Sequence, residues 1–206
     1  MIIHDKVEQG TEEWFDLRRG KFTASIASKM VTPTGRPSTT YRAEIGRIIA
    51  ESLGWQEPEP FIQTEWMRRG TELEDEARKW FTVMTGLDVQ EVGFIESDDH
   101  MTGFSPDGLT YDRIPVEIKV PKPSTHIGWL LEGGLPKEHR AQVHFGLAIT
   151  GAPHAWFMSY ATQCEPLIIK VEHDDYTETM VKAINNYAAE FEAAYKTITG
   201  INYGEV

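Results

Sequence analysis

Asp107, Glu117 and Lys119 stand in the order acid, acid, base. The first lies in Ser105-Pro106-Asp107-Gly108 and the other two in Val116-Glu117-Ile118-Lys119-Val120. Two carboxylates can hold a hard divalent cation, and a lysine two positions past the second points to the same side if the segment is a strand. This is the minimum equipment for metal-assisted cleavage of a phosphodiester. By the same alternation Ile118 packs on the opposite face while its backbone carbonyl can still reach a metal. Mg2+, with Mn2+ as a substitute, suits such oxygen ligands. Lys119 would position or help deprotonate the attacking water and stabilise charge developing on the phosphate. Alone, Asp, gap, Glu-x-Lys is a loose pattern. Without its turn and strand context, a hairpin with a turn aspartate and an exposed Glu/Lys pair is the better reading.

The elements that must position these residues follow from periodicity. Val89 to Ile95, Met101 to Phe104 and Pro115 to Val120 read as strands, with turns at 98–100 and 110–113. The first acid therefore follows a strand and the second lies inside one. Upstream, Thr64 to Thr85 reads as a helix with Trp66, Gly70, Leu73, Ala77, Trp80, Phe81 and Met84 on one side. On that wheel Glu72, Asp75 and Glu76 belong to a solvated face. Glu74 borders the apolar stripe and is the carboxylate placed to look inward, as a candidate second-metal ligand.

Pro121 and Pro123 stop the strand that ends at Val120, and the looser segment that follows to Gly134 is either a substrate-contacting loop or an ordinary connection. Pro136 opens a helix through about Thr150 that carries Gln142, His139 and His144, and lone histidines there receive no role. Strands over 155–160 and 167–171 precede a long C-terminal helix whose stripe runs from Met180 to Ile198. Near the N-terminus, after a short strand over 2–4, Thr11 caps a short helix ending at Gly20, with Arg18 in its last turn. Thr23-Ala24-Ser25 starts a further helical turn, and its hydroxyls are either a plain cap or a phosphate-binding group. A turn region spans 32–37, a helix runs from Tyr41 to Leu53, and Pro58 and Pro60 mark a loop. These elements predict an α/β chain with a central mixed β-sheet flanked by helices, organised as one domain over residues 1–206.

The 206 residues, 40% hydrophobic and 25% charged, are ordinary for a globular protein. Cys164 is the sole cysteine, so no intramolecular disulfide forms and a reducing, cytoplasmic setting is expected, with no membrane association. The net charge of -12 excludes a protein that coats nucleic acid with its whole surface. A DNA substrate would have to be gripped in a local channel.

The sequence resembles the lambda-exonuclease family, also called the YqaJ-type viral recombinases, within the PD-(D/E)XK nuclease superfamily. The resemblance is carried in family order by Gln9-Gly10 through Trp14, Leu17-Arg18-x-Gly20, Thr23-Ala24-Ser25, Gly70 to Arg78, Ser105-Pro106-Asp107-Gly108, Glu117-x-Lys119-x-Pro121 and Ala141-Gln142-Val143. It implies a restriction-endonuclease-like fold and a Mg2+-dependent 5′→3′ exonuclease that digests one strand of linear duplex DNA to mononucleotides, leaving a 3′ single strand. Asp107 and Glu117 match the metal ligands, Lys119 the catalytic lysine, Glu74 the helix carboxylate and Gln142 the glutamine near the site. Arg18, Thr23, Ser25 and Ser105 match the pocket for the terminal 5′-phosphate. The resemblance also implies a homotrimeric ring around DNA and a single-strand annealing partner in phage-type recombination within a bacterial host. The departure from the family pattern is Val120, where cysteine often stands. The alternatives are a structure-selective or restriction-type endonuclease on the same fold, and a non-catalytic DNA-end-binding scaffold.

Overall fold

Pro115, Val116, Glu117 and Ile118 are all buried, and only Lys119 at the end of their strand keeps partial access to solvent. A strand buried on both faces needs a layer on each side. The computed structural model, which describes residues 1–55 and 65–205, supplies both layers.

The chain runs β1 (Ile2–His4), α1 (Glu12–Arg18), β2 (Phe22–Thr23), a 3-10 helix (Ala24–Lys29), α2 (Arg42–Ser52) and α3 (Glu65–Thr85). Four short strands follow, β3 (Val89–Gln90), β4 (Phe94–Glu96), β5 (Thr102–Phe104) and β6 (Gly108–Thr110), and then β7 (Pro115–Lys119). Helices α4 (Pro123–Glu132) and α5 (Lys137–Thr150) lead to β8 (His154–Ser159), β9 (Leu167–Glu172) and α6 (Asp175–Thr199). The predicted sheet is built as two mixed sheets, ordered β1-β4-β5-β2 and β3-β6-β7-β8-β9. Strand β7 lies at the centre of the second, antiparallel to β6 and parallel to β8, with Glu117 opposite Phe157 and Lys119 opposite Ser159.

Helix α5 is wedged between two cores. Ala141 and Phe145 join Phe22, Phe104 and Tyr187 in one, whereas Val143 and Leu147 join Trp129 and Phe157 in the other. Helix α3 covers the opposite face of β7, where Ala77 and Phe81 meet Val116, Ile118, Met158 and Tyr160. Residues 116 and 118 of β7 thus turn to α3, and by alternation 117 and 119 turn the other way. Helix α6 closes the first core and is fixed at its start by a capping box between Asp174 and Thr177. No helix among the described residues is long and apolar enough to cross a membrane.

Three sequence expectations change. The strand expected over 89–95 divides into β3 and β4, which belong to different sheets. Gly93 marks the break: its N–H donates to His4 O at 3.2 Å, and a Cβ there would collide with the carbonyl oxygen of Val7. The looser segment at 121–134 contains α4, with Pro123 in its first turn and Gly133 left-handed at its end. Proline at a first helical position loses no hydrogen bond, so Pro123 starts a helix here. The helical turn at Ala24 is a 3-10 helix, kinked at Ile26. The loop marked by Pro58 and Pro60 lies outside the described residues.

Candidate active site

The turn from β5 to β6 delivers Asp107 beside β7, and the Ile118 N–H donates to Asp107 Oδ2 at 2.6 Å. In a strand the N–H and C=O of one residue point to the same side, so the Ile118 carbonyl opens toward Asp107 as well. Lys119 Nζ forms an ion pair with Glu117 Oε1 and lies 3.8 Å from Asp107 Oδ2. Across the gap, Gln142 on α5 donates from Nε2 to Glu117 Oε1 at 2.5 Å. The four residues Asp107, Glu117, Lys119 and Gln142 therefore form one connected group.

Glu74 joins them from α3. Its Oε1 accepts from Arg78 Nη1 at 2.7 Å, and the same guanidinium nitrogen donates to the Asp107 carbonyl at 3.3 Å. Arg78 also reaches Glu91 Oε2 at 3.1 Å. Burial raises the Glu74 carboxyl to about 7, helped by the Asp107 charge and opposed by Arg78. Burial likewise pushes Glu117 above the usual carboxylate range, with Asp107 and Glu74 adding to the rise and Lys119 opposing it. Burial alone would lower Lys119, but Glu117 and Asp107 outweigh it and hold the ammonium above its ordinary value. The acids repel one another in a poorly solvated pocket, which is the electrostatic condition a divalent cation relieves.

Among the described residues no three acidic, histidine or cysteine side chains are close enough to enclose a metal. A small hard cation does not require three, because Mg2+ keeps several waters and binds through one or two carboxylates. Asp107, Glu117 and the Ile118 carbonyl fit that donor set.

A second group lies on the N-terminal segment. Arg18 Nη1 donates to Ser105 Oγ at 3.3 Å, and its guanidinium stacks over the Trp14 ring at 4.3 Å. Trp14 Nε1 donates to Ser105 Oγ at 2.8 Å and to Gly93 O at 3.0 Å. Burial lowers Arg18 to about 10, and it has no carboxylate partner among the described residues. A desolvated guanidinium without a counter-ion suits an anion. Thr23 and Ser25 form their own pair, with hydroxyl oxygens 3.0 Å apart. Parallel pairing of β2 with β5 sets Thr23 opposite Gly103, two residues before Ser105. The four sequence candidates for phosphate binding thus fall into two pairs, Arg18 with Ser105 and Thr23 with Ser25, of which Thr23 and Ser105 lie at the ends of the paired strands β2 and β5.

Sequence reasoning left Gln9, Trp14, Arg78 and His139 without individual roles. Arg78 falls four residues after Glu74, a spacing that signals an ion pair on a helix. His139 stacks on Phe157, the strand partner of Glu117, at 5.6 Å. Its pKa is lowered to about 4 by burial and then by the Lys119 charge, with Glu138 and Gln142 opposing the shift. Nothing in the local sequence signals that placement.

The YqaJ-like viral recombinase domain family matches residues 13–153. No curated protein matches. Among solved structures, the alkaline exonuclease LHK-Exo from Laribacter hongkongensis is similar at 31% identity and a TM-score of 0.77, over 92% of this chain and 97% of that one. LHK-Exo in complex with dAMP is similar at 31% identity and a TM-score of 0.76, over the same shares. A phage-related exonuclease from Haemophilus somnus 129PT shares the fold, at 14% identity and a TM-score of 0.57, over 90% of this chain and 99% of that one.

Proposed function

The chain belongs to the YqaJ-like viral recombinase domain family, and from that premise we propose a Mg2+-dependent 5′→3′ exonuclease acting on linear duplex DNA ends. It is a nuclease of the lambda-exonuclease type. The finer reading is that one strand is digested to mononucleotides and a 3′ single strand is left for recombination. Residues 1–206 act as one nuclease domain. The observation that carries the reading is the Ser105-Pro106-Asp107 turn. It joins a carboxylate of the acidic group to a hydroxyl held by Arg18, which has no carboxylate partner among the described residues, two residues apart. Such a turn couples recognition of a terminal phosphate to cleavage one step inside it.

Asp107, Glu117 and the Ile118 carbonyl would hold the cation, with Glu74 available to a second. When bound, the cation supplies Lewis-acid polarisation of the phosphate and a more acidic water. Lys119 holds its ammonium where charge develops on the phosphate and positions the attacking water. Gln142 keeps Glu117 oriented and offers its amide to the reacting group. Arg18, Ser105, Thr23 and Ser25 take the terminal 5′-phosphate, and Arg18 supplies the charge-assisted bonds. The dAMP complex of LHK-Exo supports a mononucleotide product, because dAMP is a deoxynucleoside monophosphate.

Family membership also supports a homotrimeric ring and a single-strand annealing partner, and a basic lumen would reconcile the net charge of -12 with a DNA substrate. The deciding experiment is a time course on end-labelled linear duplex with Mg2+, run beside a closed circle. The expected result is mononucleotide release from the 5′ end of one strand and an intact circle. Internal cuts in the circle, or shortening from the 3′ end, would contradict the proposal.

A further inference from the structure

Pro106, between Ser105 and Asp107, is buried and offers the turn a carbonyl but no N–H. Its carbonyl accepts from Gln9 Nε2 at 2.9 Å, and the same nitrogen donates to Val92 O, also at 2.9 Å. A carboxamide nitrogen carries two hydrogens, so both donors of Gln9 are used on backbone acceptors distant in sequence. The close approach depends on Gly93, where a Cβ would collide with the carbonyl oxygen of Val7. Further along the same segment, Trp14 Nε1 holds the Ser105 hydroxyl at 2.8 Å. The N-terminal segment therefore grips the turn at two successive residues, and the Ile118 N–H grips the Asp107 carboxylate beyond them.

We infer that Gln9 is a positioning residue, whose carboxamide fixes the Ser105–Asp107 turn and so sets the Asp107 carboxylate against Glu117. The inference rests on reading Asp107 as a metal ligand. The chemistry is specific to an amide. A carboxylate of the same shape would face two carbonyl oxygens and repel both, and an apolar side chain would leave two buried carbonyls without their donor.

The test uses the full chain with Gln9→Glu, Gln9→Met and, as a reference, Asp107→Asn. Three quantities are measured: Mg2+ affinity by calorimetry without DNA, kcat and KM on 5′-phosphorylated linear duplex, and the far-UV circular dichroism spectrum. Residues that orient a metal ligand cost about 10- to 100-fold in metal affinity or activity when changed. The expected result is a loss of that size in Mg2+ affinity and kcat for both Gln9 variants, with KM within about 2-fold of wild type. Gln9→Met, which keeps the length of the stem, carries the test if Gln9→Glu does not fold. Folded Gln9 variants with wild-type Mg2+ affinity and kcat overturn the inference. So does a rise in KM alone, which would place Gln9 against DNA. If Asp107→Asn abolishes Mg2+ binding while the Gln9 variants behave as wild type, only the inference falls. If Asp107→Asn keeps wild-type affinity and kcat, the reading of the site itself fails.

Discussion

The backbone N–H of Ile118 donates to the carboxylate of Asp107 at 2.6 Å. Through this bond the turn after β5 and the central strand β7 present their acids as one unit. Asp107 loses part of one oxygen's capacity to the protein and keeps the other for a ligand.

Lys119→Ala and Asp107→Ala each should reduce digestion of linear duplex by at least about 100-fold, the cost of removing one preorganised stabilising group. The fold should survive, since both side chains lie at the open end of β7 and are partly exposed. Nucleotide release measured beside the circular dichroism spectrum checks both points. A folded variant with wild-type digestion would remove that residue from the catalytic group.

Arg18→Ala should narrow any preference for 5′-phosphorylated over 5′-hydroxyl ends by roughly 10-fold or more, the worth of a charge-assisted hydrogen bond. Parallel digestions of the two substrates give the ratio directly. If the ratio is unchanged, the Arg18–Ser105 pair does not receive the phosphate.

Arg78→Met should slow digestion by about 10-fold or more while preserving helix α3. The guanidinium bridges Glu74, Glu91 and the Asp107 carbonyl, and without it Glu74 loses its ion-pair partner beside the Asp107 carboxylate, leaving Lys119 as the cation near both. Single-turnover rates on the duplex, with thermal melting as the control, make the comparison. A wild-type rate would confine Arg78 to a surface ion pair.

His144 gives a pH prediction for stability. It is buried, shares a hydrogen bond with Thr177 Oγ1 at 2.7 Å, and has its pKa lowered to about 4. Burial is the main cause. Asp174 on α6 opposes the shift, and Arg140 and His173 add to it. A histidine with a depressed folded pKa contributes stability that is fully present above its unfolded value of 6.5. That contribution is lost as pH falls toward about 4. Glu74, raised to about 7, works in the opposite sense, because its contribution is lost as pH rises through that value. The two are separated by comparing wild type with His144→Gln in urea at pH 7 and pH 5. Wild type should lose up to roughly 2 kcal/mol more than the variant over that interval. Equal losses would show that His144 does not stay neutral in the fold.

The grouping of the central side chains was legible because it rests on local rules. Alternation along β7 puts Glu117 and Lys119 together, the Ser-Pro-Asp-Gly turn exposes Asp107, and the helical wheel singles out Glu74. The roles of Gln142 and of the residues assigned to the phosphate came from resemblance to a family; in the structure Gln142 bonds Glu117, Arg18 bonds Ser105, and Thr23 pairs with Ser25. What remained hidden depends on distant backbone. The hydrogen bonds of Gln9 go to carbonyls 83 and 97 residues away, and His139 acquires its neighbours only when α5 packs on β8. The division of 89–95 between two sheets was also invisible, since an apolar run does not say which neighbour each half will pair with. Helix α4 was missed because prolines that end one element can begin the next.

Strand β7 has a neighbour on both sides, whereas α1, which carries Arg18, is seven residues long and buries none of them. Amide hydrogens at the middle of a sheet exchange only when much of the molecule opens, while a short surface helix frays at little cost. The arginine proposed to take the terminal phosphate and the strand proposed to carry the cutting residues therefore belong to different tiers of local stability. Under the proposed roles, warming would erode the distinction between one terminus and another before it abolishes hydrolysis.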